Sequence, residues 1–239
     1  IAPMFRYEKP QAGRFRQHTQ YGVEIIGSGT PFTDAEVIKL VISFYKKLKI
    51  QGIKLQINSV GDEKCRPAYM EKLVAYLKSV LDNLCEDCKS RVDRNPLRVL
   101  DCKKENCQTY LKDAPKIIDN LSEESKIHFD TLCGYLQDMG IEYSINPRLV
   151  RGLDYYTKTA FEIVSEHLGA QNAISGGGRY DGLVELIGGK PTPAVGFGAG
   201  MERLISVMEQ QGIAFPTKNP TDVFLISLDA ESRKISEKI

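Results

Sequence analysis

The stretch that most restricts this 239-residue chain is Ser175-Gly176-Gly177-Gly178-Arg179-Tyr180-Asp181-Gly182. Three successive glycines let a backbone pass close to a ligand, because no Cβ stands in the way. The stretch matches neither the GxGxxG nor the GxxxxGK[ST] phosphate pattern. Taken alone it reads as a turn between strands expected at 160–164 and 194–198. A second glycine-rich join, Gly196-Phe197-Gly198-Ala199-Gly200-Met201-Glu202-Arg203-Leu204, leads from the latter strand into a helix ending at Gly212. Arg203 falls in the first turn of that helix. A cation there opposes the helix dipole, so a bound anion is a sensible reason for it, against the plainer reading of a surface Arg.

The same alternation of strands and glycines opens the chain. Residues 1–29 read as an extended pair joined by a basic connection, with Arg6, Lys9, Arg14 and Arg16 opposed by Glu8 alone within 1–20. Thr33-Asp34-Ala35-Glu36 has the form of a capping box. Val37, Leu40, Val41, Phe44 and Leu48 follow it at helical spacing, and Ile53, Leu55 and Ile57 then alternate as a strand. Residues 63–145 differ in character. One helix carries Tyr69, Leu73, Tyr76 and Leu77, a loop-rich stretch with cysteines runs from 85 to 115, and a second helix begins near Ser122 and is closed by Gly140. This segment reads as an inserted module. Residues 216–220 have linker composition, 222–228 a new strand, and a helix begins at 231.

Composition bounds the possibilities. Thirty-two Lys and Arg against 31 Asp and Glu give a net charge of +1. That excludes nucleic-acid binding through bulk positive charge, though not through a local basic surface. No apolar run approaches the ~20 residues that span a bilayer. Six cysteines are too sparse for a disulfide scaffold, which implies reduced thiols and a cytoplasmic protein.

Two further stretches carry chemistry. In Phe5-Arg6-Tyr7-Glu8, a guanidinium on a strand can grip a phosphate, with a carboxylate two residues on along the same face; an exposed charged hairpin is the plainer reading. In Arg151-Gly152-Leu153-Asp154-Tyr155-Tyr156, an Arg beside Gly can reach into a site and two hydroxyls can read a polar ligand, against a packed turn held by an Arg–Asp pair.

Taken together, these four stretches resemble the histidyl-tRNA synthetase family of class II aminoacyl-tRNA synthetases. Phe5-Arg6-Tyr7-Glu8, Gly13-Arg14-Phe15-Arg16-Gln17 and Gln20-Tyr21-Gly22-Val23-Glu24 look like class II motif 2 in its histidine-specific form. Residues 151–156 and 175–182 look like the two histidine signatures, and 196–204 looks like motif 3. The likeness runs from residue 3 to about 228, with bacterial-type spacing. It implies an α+β fold: a class II core of antiparallel sheet flanked by helices, with an inserted helical module. The domains implied are a first part of the core at 1–61, the insertion at 62–145, a second part of the core at 146–214, and a linker with the start of an α/β anticodon-binding domain at 215–239.

The implied activity is histidine–tRNA ligation: ATP-dependent formation of histidyl-adenylate, then transfer to tRNA(His), in the cytoplasm and as a homodimer. Mg2+ enters bound to ATP, and no organic cofactor is implied. Arg6 and Arg151 are the implied catalytic residues. Arg6 would hold the ATP α-phosphate, Glu8 would sit by the adenine amine, Arg14 would meet the distal phosphates and Arg203 the γ-phosphate. Arg151 would stabilise charge at the α-phosphate. The histidine site would comprise Arg6, Gln20, Glu24, Arg151, Tyr155, Tyr156 and Tyr180, with Glu24 and Tyr156 reading the imidazole. A neutral imidazole both donates and accepts, which a carboxylate and a hydroxyl can match.

The chain also departs from the family pattern. Motif 1 and the segment that binds the substrate amino group would precede residue 1. Only about 20 residues of an anticodon-binding domain are expected at the other end. The resemblance therefore implies a fragment with negligible histidine-dependent pyrophosphate exchange on its own. Lys9 stands where Arg is common. His18-Thr19 stands where Phe-His is frequent, so His18 is assigned no catalytic role. A synthetase-like regulatory subunit of ATP phosphoribosyltransferase, sensing histidine without charging tRNA, is the alternative; the intact 151–156 stretch and the trailing 222–228 segment favour the synthetase. Cys85-x2-Cys88 and Cys102-x4-Cys107 could supply four thiolates to zinc. The second pair is not CxxC, and incidental free thiols are the reading taken, with no metal assigned. Between 85 and 104, six basic residues face four acidic ones, which is compatible with contact to RNA.

Overall fold

The structure, a computed structural model, describes residues 1–7, 10, 15–150, 155–166, 168, 172–215, 223–236 and 238. Along the chain, β1 (Ala2–Phe5) and β2 (Gln17–Ile26) form the expected extended pair, followed by α1 (Pro31–Lys47) and β3 (Ile53–Ser59). The inserted stretch holds α2 (Arg66–Ser79), α3 (Glu86–Arg91), α4 (Leu97–Leu100) and α5 (Glu105–Leu111). Then come α6 (Glu123–Asp138), β4 (Ser144–Ile145), β5 (Thr157–Ser165), β6 (Ala173–Arg179), α7 (Leu183–Leu186), β7 (Ala194–Gly200), α8 (Met201–Gln210) and α9 (Ala230–Ser236). No described helix is long and apolar enough to cross a membrane.

The seven strands form one sheet in the order β1-β2-β7-β6-β5-β3-β4, antiparallel except for the β3–β4 pair. Alternation along each strand sends Tyr21, Val23 and Ile25, Val195 and Phe197, Phe161 and Ile163, and Leu55 and Ile57 to a single apolar face. Helices α1, α6 and α8 cover that face with Ile38, Val41, Tyr45, Leu132, Leu136 and Val207. The fold is the α+β arrangement that the sequence implied.

Three local expectations are corrected. The glycine run is strand β6, at the centre of the sheet, and not a turn. Helix α1 begins at Pro31 after N-cap Thr30, so Thr33 lies inside the helix and bonds Ser28 Oγ at 2.6 Å; Pro31 presets the first helical φ and moves the start upstream. The same helix buries Val37, Ile38, Val41 and Ile42 and leaves Leu40 and Phe44 outward. Residues 223–228 form no strand among the described residues. A strand needs a ladder partner, and Val223, Phe224 and Leu228 are 72%, 81% and 90% exposed.

Residues 62–145 divide between two apolar clusters. Tyr69, Leu73, Leu77, Val99, Leu111 and Ile117 belong to a second cluster whose buried residues lie within 69–117, with Val150 packed against it. Helix α6 instead packs on α1 in the main core, and β4 extends the main sheet. Ser122 caps α6, accepting from Ser125 N at 3.1 Å, and Gly140 closes it at φ +64°, both as expected.

A buried ionic knot ties β6 to α1. Arg179 and Asp34 are both fully buried. Arg179 Nη2 and Nε donate to the Asp34 carboxylate, Nη1 to Ser28 O and Asp181 Oδ1 at 2.9 Å each, and Nη2 to Thr30 O at 3.1 Å. Thr159 donates to Asp34 Oδ2 at 2.5 Å, and His128 Nε2 lies 2.8 Å from the same oxygen. Burial alone would push the Asp34 carboxyl up. Its bonds to His128, Arg179 and Thr159, with the Arg179 charge, outweigh that and hold it below the usual carboxylate range.

Candidate active site

The face of the sheet opposite the core is nearly bare. Across it, Gly22, Gly198 and Gly176 stand in register on β2, β7 and β6, with Glu162 of β5 next in the row. The neighbouring row holds Glu24, Gly196, Gly178 and Ala160. Gly22, Gly178, Gly196 and Gly198 are required by close approach. A Cβ on Gly196 would lie 1.7 Å from Glu24 Oε2, and one on Gly178 would lie 2.9 Å from the Tyr156 ring. On the core side, a Cβ on Gly177 would fall 2.1 Å from Gly196 O. Glycine disfavours a strand interior by entropy, but here any side chain would push strands or site residues apart.

Over the first row lies a cavity of about 310 Å³. Arg6, just after β1, and Gln20 of β2 reach it from one side. Arg203 of α8 reaches it from another, donating through Nη1 to Ala173 O. The Arg6 backbone continues the β1–β2 ladder, its N–H donating to Arg16 O at 2.8 Å. Three residues assigned from the sequence, Arg6, Gln20 and Arg203, thus share one cavity.

Glu24, Tyr155, Tyr156 and Tyr180 form a second group. Glu24 lies four residues from Gln20 on the same strand face, about 13 Å along it. Tyr180 donates its hydroxyl to Glu24 Oε2. The rings of Tyr155 and Tyr156 stack at 4.7 Å, and Tyr180 meets them edge-on at 5.9 Å and 6.4 Å. Partial burial pushes the Glu24 carboxyl up, against the lowering effect of the Tyr180 hydrogen bond. Burial and the Glu24 charge likewise push the Tyr180 phenol up. The pair is a carboxylate and a hydroxyl under an aromatic wall, suited to a planar polar ring. Glu8, Arg14 and Arg151 lie outside the described residues.

The cavity also uses residues that the sequence reading did not assign. His18 lines it, as do Glu162 and, from the inserted module, Arg98, Asp101 and Lys103. A second cavity, about 590 Å³, shares Asp101, Lys103, Glu162 and Asn172 with the first, so module and sheet flank one cleft. Glu162 had a visible signal: it is the one charge in the apolar strand Ala160-Phe161-Glu162-Ile163-Val164. The module residues had none, since only the fold brings them near β2. Away from the cavity, the four cysteines of the module converge, their sulfurs all within 4.8 Å of one another.

Comparison with known proteins agrees with this architecture. The family model for histidyl-tRNA synthetase matches residues 1–204. The chain is similar to the histidine–tRNA ligase of Halothermothrix orenii, with 50% identity over 234 residues, which is 98% of this chain and 56% of that protein. It is similar to the histidine–tRNA ligase of Thermoanaerobacter pseudethanolicus at 52% over 233 residues, with the same two shares. Among solved structures, apo histidyl-tRNA synthetase of S. aureus superposes with a TM-score of 0.70 at 38% identity, covering 99% of this chain and 56% of that one. The chain thus spans about half the length of the curated relatives it matches. Its antiparallel sheet with flanking helices is the class II aminoacyl-tRNA synthetase catalytic core. With the family pattern covering residues 1–204 and the core superposing on a solved member, the chain belongs to the histidyl-tRNA synthetase family.

Proposed function

We propose that this chain forms the part of a histidine–tRNA ligase that activates histidine with ATP, for transfer of the histidyl group to tRNA(His). The reading is carried by one observation: Arg6, Gln20 and Arg203 meet at a cavity on the glycine face, and the Glu24–Tyr180 pair lies farther along the same strand. Two guanidinium groups reaching one cavity from different elements suit a triphosphate. In this reading Arg6 takes the α-phosphate and Arg203 the γ-phosphate, with Mg2+ arriving on the nucleotide. Arg6 and Gln20 face the histidine carboxylate. A carboxylate oxygen attacks the α-phosphorus, the new O–P bond forms as the bond to the bridging oxygen breaks, and pyrophosphate leaves with that electron pair. Positioning and charge stabilisation carry such a step.

Glu24 and Tyr156 read the imidazole, the carboxylate accepting from one ring nitrogen and the hydroxyl donating to the other. Tyr155 and Tyr180 wall the pocket. A site that leaves buried polar groups unpaired with the wrong substrate discriminates strongly. Glu8, Arg14 and Arg151 keep the roles inferred from the sequence: adenine amine, distal phosphates and charge at the α-phosphate. The proposal extends to a cytoplasmic homodimer as the working form. It also covers the division into core parts at 1–61 and 146–214, an insertion between them, and the start of an anticodon-binding domain at 215–239. The two apolar clusters support an insertion whose own core ends near residue 117.

The test is histidine-dependent exchange of labelled pyrophosphate into ATP. It is run on the chain alone and on a chimera in which the chain replaces the matching half of a 50%-identical relative. The chimera should exchange pyrophosphate only with histidine present and lose the activity with Arg6→Ala. A chimera that binds histidine yet never exchanges pyrophosphate would mark a histidine sensor and overturn the reading.

A further inference from the structure

We propose that Cys85, Cys88, Cys102 and Cys107 bind one zinc ion that staples the inserted module together. Their four sulfurs lie within 4.8 Å of one another, and Cys85 Sγ and Cys102 Sγ are 4.0 Å apart. Tetrahedral zinc with Zn–S bonds of ~2.3 Å has S···S edges of about 3.8 Å, so a small contraction closes the cage. A disulfide joins thiols in pairs at ~2.05 Å and gives no reason for four to meet. Sulfurs this close leave no room for the inorganic sulfide of a multi-iron cluster.

The backbone supports the same geometry. Cys85 directly precedes α3, Cys88 lies within it, Cys102 lies between α4 and α5, and Cys107 lies in α5. The irregular x4 spacing of the second pair is accommodated because α5 starts between its two members and turns Cys107 back toward α3. The Cys85 N–H donates to Cys107 Sγ at 3.2 Å, which ties the first cysteine pair to the last. Cys88, Cys102 and Cys107 are buried, whereas Cys85 is partly exposed and offers an entry path. Four thiolates on a dication leave a net charge of −2; Lys89 and Lys104, ion-paired with Glu86 and Asp87 at 3.0 Å and 3.2 Å, are cations that interact electrostatically with Cys85.

The module has cause to need such a staple. The buried residues of its apolar cluster are drawn from 69–117 alone, a span in which an unaided core is marginal. The ion would join three segments that have little regular structure between them. It would also fix the turn carrying Asp101 and Lys103, which flank Cys102 and line the cleft. Gln108, which donates to Cys102 O, accepts in turn from Arg148, so the fixed turn is linked to the segment returning to the sheet.

The experiment measures metal in the untagged 239-residue chain, purified without chelator, by mass spectrometry. About one zinc per chain is expected, falling to background in Cys85→Ser and Cys107→Ser and unchanged in Cys133→Ser. A second readout, independent of how the serine variants fold, uses the unaltered chain. After exchange with Co2+ alone, it should show thiolate charge-transfer bands and the intense visible bands of a tetrahedral site, and bound zinc should protect four thiols from a thiol reagent until a chelator is added. A chain that takes up neither zinc nor cobalt, with all accessible thiols equally reactive with and without zinc, overturns the proposal. So does a chain that carries iron in place of zinc. None of these readouts depends on synthetase activity.

Discussion

Gly196 faces Glu24 directly across the β2–β7 ladder, and the bare Cα of the glycine leaves the space that the carboxylate occupies. A Cβ there would lie 1.7 Å from Glu24 Oε2 and 2.5 Å from Val23 O. The carboxylate could swing away, but the carbonyl belongs to the ladder and cannot. Gly196→Ala should therefore cost about 1–3 kcal/mol of stability, as overpacking does, and should displace Glu24. Urea unfolding and histidine titration check both effects. Gly134→Ala in α6, where nothing lies within 4 Å of the new Cβ, is the contrast and should stabilise by about 0.4–1 kcal/mol.

Asp34→Ala removes the buried one of two carboxylate partners of a fully buried guanidinium. With only the partly exposed Asp181 carboxylate left to face it, the buried Arg179 charge should cost about 3 kcal/mol, measured by urea unfolding at pH 7. Because the folded Asp34 carboxyl lies below its unfolded value of ~3.9, its charge contributes stability fully above about pH 4, and that contribution is lost as pH falls toward the folded value. The gap in stability between the unaltered chain and Asp34→Asn should therefore narrow on acidification below about pH 4. A gap that stays constant to pH 2 would contradict the assignment.

Glu24 has the opposite sign. Burial raises its folded value above the unfolded ~4.3, so the folded state binds the proton more tightly and stability falls as pH rises through that window. Glu24→Gln should be more stable than the parent at pH 7 and indistinguishable from it near pH 4. In the chimera the same change should weaken histidine and leave ATP unaffected. Thermal midpoints at the two pH values and separate KM measurements decide the matter.

Arg203 reaches the cavity from α8 while anchored to Ala173 O. If it meets a phosphate, Arg203→Ala in the chimera should raise the ATP KM by roughly 10- to 100-fold, the worth of a hydrogen bond to a charged group at ~1.5–3 kcal/mol, and spare the histidine KM. Equal effects on both substrates would remove the phosphate assignment.

What the sequence made legible was local. Alternation found β3, the acidic first turn after Ser122 found α6, and the family resemblance, not spacing alone, marked Arg6, Gln20 and Arg203, three residues that line one cavity. What it hid was non-local. The Gly176–Gly178 run reads as a turn because glycine is a poor strand former, and only the registers with Gly198 and Gly196 reveal why no other residue fits there. Asp34 looked like one member of a capping box, yet its partner Arg179 lies 145 residues away. The outward Leu40 and the inward Ile38 show that helical spacing leaves open which side of a helix meets the sheet. The Cys102–Cys107 spacing argued against a cluster until α5 was placed.

The glycine floor makes specificity drift one-sided. Each glycine of the floor can change only by gaining a side chain, and at Gly178 and Gly196 the gained atom collides with backbone or with a site residue. Single substitutions there can make the pocket smaller but never larger. A lineage carrying this floor can lose its ligand in one step. A bulkier ligand would have to be admitted through the walls, at Gln20, Glu24, Tyr156 or Glu162.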